Sequence, residues 1–150
     1  MKKAHISLAC LLFVFCASNV YGQSGKETWK TLTKIGWKTA FNEYIGTEIQ
    51  LPIFSDEVNA LNGKEITIQG FILPLDLSEG NYLILSAFPY ASCFFCGNAG
   101  PETVMEVYMK KTQLYAADEK VTFRGKLKLN QEDGMHLIYM LEEAEPVEVD

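Results

Sequence analysis

Lys64-Glu65-Ile66-Thr67-Ile68-Gln69-Gly70-Phe71-Ile72-Leu73-Pro74 reads as a β-strand. Ile66, Ile68 and Gly70 share one face, and Glu65, Thr67, Gln69 and Phe71 take the other, the two-residue period of a half-buried sheet. Gly70 falls mid-strand, where a missing side chain marks a bend or bulge, the device that curls a sheet into a barrel. The device recurs downstream. Residues 120–129 are apolar at Val121, Phe123, Leu127 and Leu129 and carry Gly125 in their middle. Residues 82–88 and 103–109 read as two further strands, and residues 135–141 as a fifth after a hairpin turn at Asn130-Gln131-Glu132-Asp133-Gly134. Five strands, mid-strand glycines and no internal repeat predict a mainly β protein, a small five-stranded OB-like barrel with one short helix. A flat sheet packed by the Trp29 region is the alternative architecture.

Outward from these strands the pattern weakens. Ser55-Asp56-Glu57-Val58-Asn59-Ala60-Leu61-Asn62-Gly63 predicts the short helix: Ser55 caps it, acids fill its first turn and Asn62-Gly63 end it in a left-handed turn. Residues 45–54, with Gly46 and Pro52, read as an extended segment along a sheet edge. Trp29, Leu32 and Gly36 fall at helical spacing, and Trp29 and Trp37 are expected to cover one end of the core. Residues 76–81 read as a polar turn and residues 142–150 as an acidic tail.

Lys2 and Lys3 followed by the apolar run 6–15 predict a signal peptide over residues 1–22, cleaved after Val20-Tyr21-Gly22. That run is too short to span a bilayer, so no membrane span is expected after cleavage. Cys10 and Cys16 leave with the leader, and residues 23–150 form a single domain exported to the periplasm or beyond. The formal charge of −6 becomes −8 without the leader's two lysines. So acidic a domain is a poor partner for nucleic acid, which selects a basic face. No Gly-x-Ser-x-Gly elbow and no phosphate-binding glycine loop occurs, so serine hydrolysis and nucleotide chemistry have no support.

Chemistry concentrates in Ala91-Ser92-Cys93-Phe94-Phe95-Cys96-Gly97-Asn98-Ala99-Gly100-Pro101-Glu102. Three arrangements suit two thiols at this spacing. One is a structural disulfide, which an oxidising compartment favours. Another is a redox pair, weakened because the residues after Cys96 do not form the helix that lowers a catalytic thiol's pKa. The third is a metal site with Cys93 and Cys96 as ligands, His136 as a third, and Glu102 or Glu106 as a fourth. Zinc is the expected ion. Copper(I), with thioether sulfur from Met105 or Met135, is the alternative. Phe94 and Phe95 are expected to shield the sulfurs from water in each case.

The run Gly70-Phe71-Ile72-Leu73-Pro74-Leu75-Asp76, then Tyr82-Leu83-Ile84-Leu85, then Pro89-Tyr90-Ala91-Ser92-Cys93 resembles an uncharacterised family of bacterial periplasmic proteins. Its members show a Gly-Tyr-hydrophobic-Val-Pro-Leu strand, a Leu-Leu-Val-Pro-Tyr segment and a Cys-x-His loop with a proline run. Trp29 and Leu32 look like that family's early Trp-x-x-Leu. The family is often associated with zinc-responsive transporter genes, so the resemblance implies metal handling beside an envelope transporter. Cys93 matches the family cysteine. The family histidine falls on Phe95 and the proline run on Gly97-Asn98-Ala99-Gly100, with Cys96 in place of the lost imidazole. The chain looks like a Cys-x-x-Cys branch of this family. Sequence and resemblance together predict a non-enzymatic, exported metal-binding accessory protein. The alternatives are a periplasmic thiol–disulfide redox protein and a protein-interaction module with a structural disulfide.

Overall fold

Five strands close on themselves: β3 (Glu65–Ile72), β4 (Tyr82–Ser86), β5 (Val104–Met109), β7 (Tyr139–Pro146) and β6 (Lys120–Leu129), in that spatial order. This computed structural model describes residues 25–75 and 82–148; the expected leader, the turn over residues 76–81 and the last two tail residues lie outside them. Every pairing is antiparallel except β5 with β7, which is parallel. Counted along the chain, the barrel order is therefore first, second, third, fifth, fourth, the OB-like arrangement expected. Inward residues follow the two-residue period: Ile66, Ile68 and Ile72 on β3, Leu85 on β4, Met105 and Val107 on β5, Phe123 and Leu127 on β6, Tyr139 and Leu141 on β7.

The mid-strand glycines sit where strands press closest. A methyl group on Gly70 would meet the Ser86 carbonyl oxygen at 2.5 Å and Leu85 Cγ at 2.8 Å, and one on Gly125 would meet the Glu142 carbonyl at 2.8 Å. Gly70→Ala is therefore expected to cost about 3 kcal/mol, since the obstacle is backbone rather than a yielding side chain. Gly134→Ala, with nothing within 4 Å, serves as the control. Urea denaturation of both variants checks this; a Gly70→Ala midpoint equal to that of Gly134→Ala would show that the strands part freely.

One end of the barrel is closed by α1 (Gly25–Leu32), the one helix longer than a turn among the described residues, and by α2 (Asp56–Asn59). A helix of eight residues is marginal alone, so tertiary contacts hold it. β3 pairs with β4 only at Phe71 and Ile72. Upstream, the carbonyls of Thr67 and Gln69 accept instead from the Thr28 hydroxyl (2.6 Å) and the Trp29 indole (2.8 Å) of α1. Leu32, Trp29 and Val58 then complete the core. Ser55 caps α2 by accepting from the Val58 amide, as expected.

Two elements differ from expectation. Residues 35–54 form a hairpin, β1 (Ile35–Asn42) and β2 (Thr47–Phe54), which is a two-stranded sheet of its own. Alternating Ile35, Trp37, Thr39 and Phe41 suit a strand, the Asn42 side chain accepts from the Tyr44 and Ile45 amides, and Gly46 turns at φ +69°. Trp29 covers the core as expected, but Trp37 lies on the hairpin, 38% exposed. The last strand also starts later than residue 135 and uses most of the acidic tail. Glu142 meets Lys128 at 3.3 Å, and Glu145 lies opposite Arg124 and 3.3 Å from Lys110, so the tail's acids pair with the bases beside them. Among the described residues no helix is long and apolar enough to cross a membrane.

Candidate functional site

The cysteine loop leaves β4 at Ser86 and folds back onto the outer face of the barrel. Tyr90–Ser92 makes one 3-10 turn, Cys93 is extended, and Phe94–Cys96 makes a second turn ended by Gly97 at φ +78°. That left-handed residue is where glycine is needed. The loop is pinned from outside by Asp118, which accepts from the Tyr90 amide (2.7 Å), and from within by the Asn98 amide group donating to the Ala91 carbonyl (3.1 Å).

Cys93 is fully buried in a second apolar cluster with Leu73, Ile84 and Val104, lined by Phe94 and Leu137. Cys96 is exposed, its thiol donating to the Tyr90 carbonyl at 3.0 Å. The two sulfurs are unbridged and 4.0 Å apart. Partial desolvation, then the hydrogen bond and charge of the Cys93 sulfur, hold the Cys96 thiol above the ordinary thiol value. A catalytic thiolate is shifted the other way, downward. Of the two rings, Phe94 packs over Cys93, while Phe95 turns outward against it and is exposed.

His136 and Glu102 are not brought to the thiols. Among the described residues no group of three or more His, Cys, Asp or Glu side chains converges to hold an ion. The Glu102 carboxylate folds over Gly100, and its charge, second to burial, helps push the Tyr139 phenol well above its usual value. The methionines stay apart too: Met105 is inside the barrel and Met135 is exposed in the loop before β7.

His136 instead meets Glu106. Glu106 is 2% exposed on the outer face of β5, and the loop over residues 130–138 covers it. One carboxylate oxygen accepts the Leu137 amide (2.7 Å); the other accepts the Tyr108 hydroxyl (2.6 Å) and the His136 Nδ1–H (3.0 Å). A carboxylate can only accept, so Nδ1 carries a proton and donates it to Glu106. Burial first, then the hydrogen bond and charge of Glu106, push the Tyr108 phenol far above its usual value. The loop is held from its other end by Asn130, whose amide group donates to the carbonyls of Asp133, His136 and Leu137. Glu106 was legible as a candidate ligand but not as an anchor. The signal was one acid in the otherwise apolar Val104-Met105-Glu106-Val107-Tyr108-Met109.

No family model, no curated protein and no solved structure matches this chain.

Proposed function

We propose that the protein is an exported, non-enzymatic accessory protein that holds one thiophilic ion between Cys93 and Cys96, zinc first and copper(I) as the alternative. The observation that supports this is the pair of unbridged sulfurs 4.0 Å apart on a pinned turn. Two zinc–sulfur bonds of about 2.3 Å at a tetrahedral angle set their sulfurs about 3.8 Å apart, so the loop needs little change to accept the ion. With two protein ligands, zinc keeps two positions for water or for donors of a partner, the coordination of an ion meant to be passed on. Cys93, in its apolar wall, anchors the ion, and Cys96 is the side from which it enters and leaves. The resemblance of residues 70–93 to an envelope family near zinc-responsive transporter genes points the same way.

An ion must displace the thiol protons, and the Cys96 thiol holds its proton more tightly than usual. Binding therefore strengthens as pH rises toward the thiol range, by about tenfold per pH unit for each proton released. Native mass spectrometry of residues 23–150, purified without chelator and titrated with zinc from pH 6 to 8, checks both statements. One bound ion per chain with both thiols free after denaturation is expected. A metal-free chain lighter by two hydrogens would sink the metal reading in favour of a disulfide, and pH-independent binding would place the ion elsewhere.

A further inference from the structure

We infer that the protein pairs with a second copy of itself along the outer edge of β1, joining two hairpins into one four-stranded sheet. The direction of the backbone groups of β1 follows from its partner strand. In an antiparallel pair the N–H and C=O of one residue point to the same side, and the side alternates along the strand. Trp37 lies opposite Pro52, which has no N–H, and the Pro52 carbonyl accepts from Gln131 on the far side of β2. The Phe54 carbonyl likewise accepts from Asn59. At the turn, the Asn42 carbonyl accepts the Gly46 amide on the inner side. Lys38, Ala40 and Asn42 therefore bond to β2, and Trp37, Thr39 and Phe41 aim N–H and C=O away from it. Among the described residues no group hydrogen-bonds those outward backbone atoms, and β1 packs broadly against no element but β2. An edge of this kind is a template for another strand.

The outer edge of β2 is not free in this way. It faces the 130–138 loop across a groove lined by Ile49, Leu51, Asp133 and His136. The hairpin meets the barrel core only at its base, through Ile35 and Phe54. Beyond that base, Trp37, Phe41, Tyr44 and Ile45 are exposed. Two strands alone are marginal in water, and further strands beside them stabilise the sheet. β1 is complementary to itself in one register. With Thr39 opposite Thr39 of the second copy, Trp37 of each copy faces Phe41 of the other on the same side of the sheet, an aromatic cross-strand pair made twice. Each of these pairs matches outward groups with outward groups, so both backbone hydrogen bonds are exchanged. Lys38 then lies opposite the small Ala40, and Glu43 of each copy falls within one residue of Lys34 of the other. A two-residue slip one way sets Lys38 against Lys38, a like-charge pair that is destabilising. The opposite slip sets Trp37 against Glu43 and leaves no aromatic pair. The charge pattern and the rings thus select a second copy in a single register.

Sedimentation velocity of residues 23–150 from about 1 μM to 1 mM, the range for an interface below standard size, is expected to show monomers giving way to dimers. Amide hydrogen exchange locates the contact. Trp37, Thr39 and Phe41 should become protected as the dimer forms, while Lys38 and Ala40 stay protected throughout by β2. Thr39→Pro removes an outward N–H and leaves the β1–β2 ladder whole, since proline is tolerated where an edge N–H faces solvent. It is expected to weaken dimerisation by about 30-fold or more, for two hydrogen bonds lost per dimer. Phe41→Lys, at a position 64% exposed, should weaken it too, and Leu114→Ser, at another exposed position, should not. A monomer across the whole range, a dimer that Thr39→Pro leaves intact, or protection at Trp37, Thr39 and Phe41 that does not change with concentration would overturn the pairing.

Discussion

Replacing either cysteine, as Cys93→Ser or Cys96→Ser, is expected to weaken binding of a thiophilic ion by more than about 100-fold, past the 10–100-fold typical of outer-shell changes. Each replacement removes half of the protein's ligands, since no third His, Cys, Asp or Glu side chain among the described residues converges there. The two variants should differ in stability. Cys93 is packed against Leu73, Ile84 and Val104, so a hydroxyl there adds a buried polar group, whereas Ser at exposed Cys96 is close to neutral. Glu106→Gln, on the same barrel face but bound to the other loop, should leave ion affinity unchanged. Chelator-competition titration of the three variants checks this. Stoichiometric binding retained by Cys93→Ser would mean that the ion is not held by the thiol pair.

Glu106→Leu is expected to lower stability by about 3 kcal/mol and the melting temperature by roughly 10 °C. Three donors converge on its carboxylate: the Leu137 amide, the Tyr108 hydroxyl and the His136 ring. Leucine fills much of the volume but accepts nothing, so the donors must find water or stay unpaired. The damage should be local. The loop over residues 130–138 loses its attachment to β5 and keeps the Asn130 bonds and Gln131–Pro52 bond at its ends. Hydrogen exchange should accelerate at Leu137 and remain slow at Leu85 and Phe123 in the core. A melting temperature within about 2 °C of the parent, with Leu137 still protected, would show that the loop packs without the carboxylate.

These two side-chain groups also divide what sequence could say about the site. Cys93 and Cys96 are three residues apart, and a single turn brings neighbours that close together whatever the rest of the chain does. Their pairing was therefore readable locally, down to the absence of a following helix. Whether His136 or Glu102 joins them depends on where two distant loops land. His136 is held by Glu106 thirty residues away, a contact produced only by the parallel pairing of β5 with β7 and the crossing of the loop between β6 and β7. Glu106 read as a candidate ligand, and strand alternation places it on the outer face. It is buried because that face is covered by loops, and alternation carries no information about cover.

The sequence by itself determined the barrel: alternation in β3, β5 and β6 and the glycines at 70 and 125 identify curled strands because period and the missing Cβ are properties of single residues. It also located the thiols and the α2 cap, each set within one turn of chain. Tertiary structure alone decided the rest. The 35–54 hairpin became a sheet apart from the barrel because its strands pair only with each other, while Ile35 and Phe54 pack their side chains against the barrel core. The acidic tail became strand because its backbone pairs with β5 and β6 and Ala144 buries in the core, with Lys128 and Lys110 beside Glu142 and Glu145. The groove beside Asp133 and His136 exists because that hairpin and the 130–138 loop are joined by Gln131 and Pro52, 79 residues apart in the chain. Pairings between distant segments follow from the summed packing of the whole chain, and no local pattern encodes them.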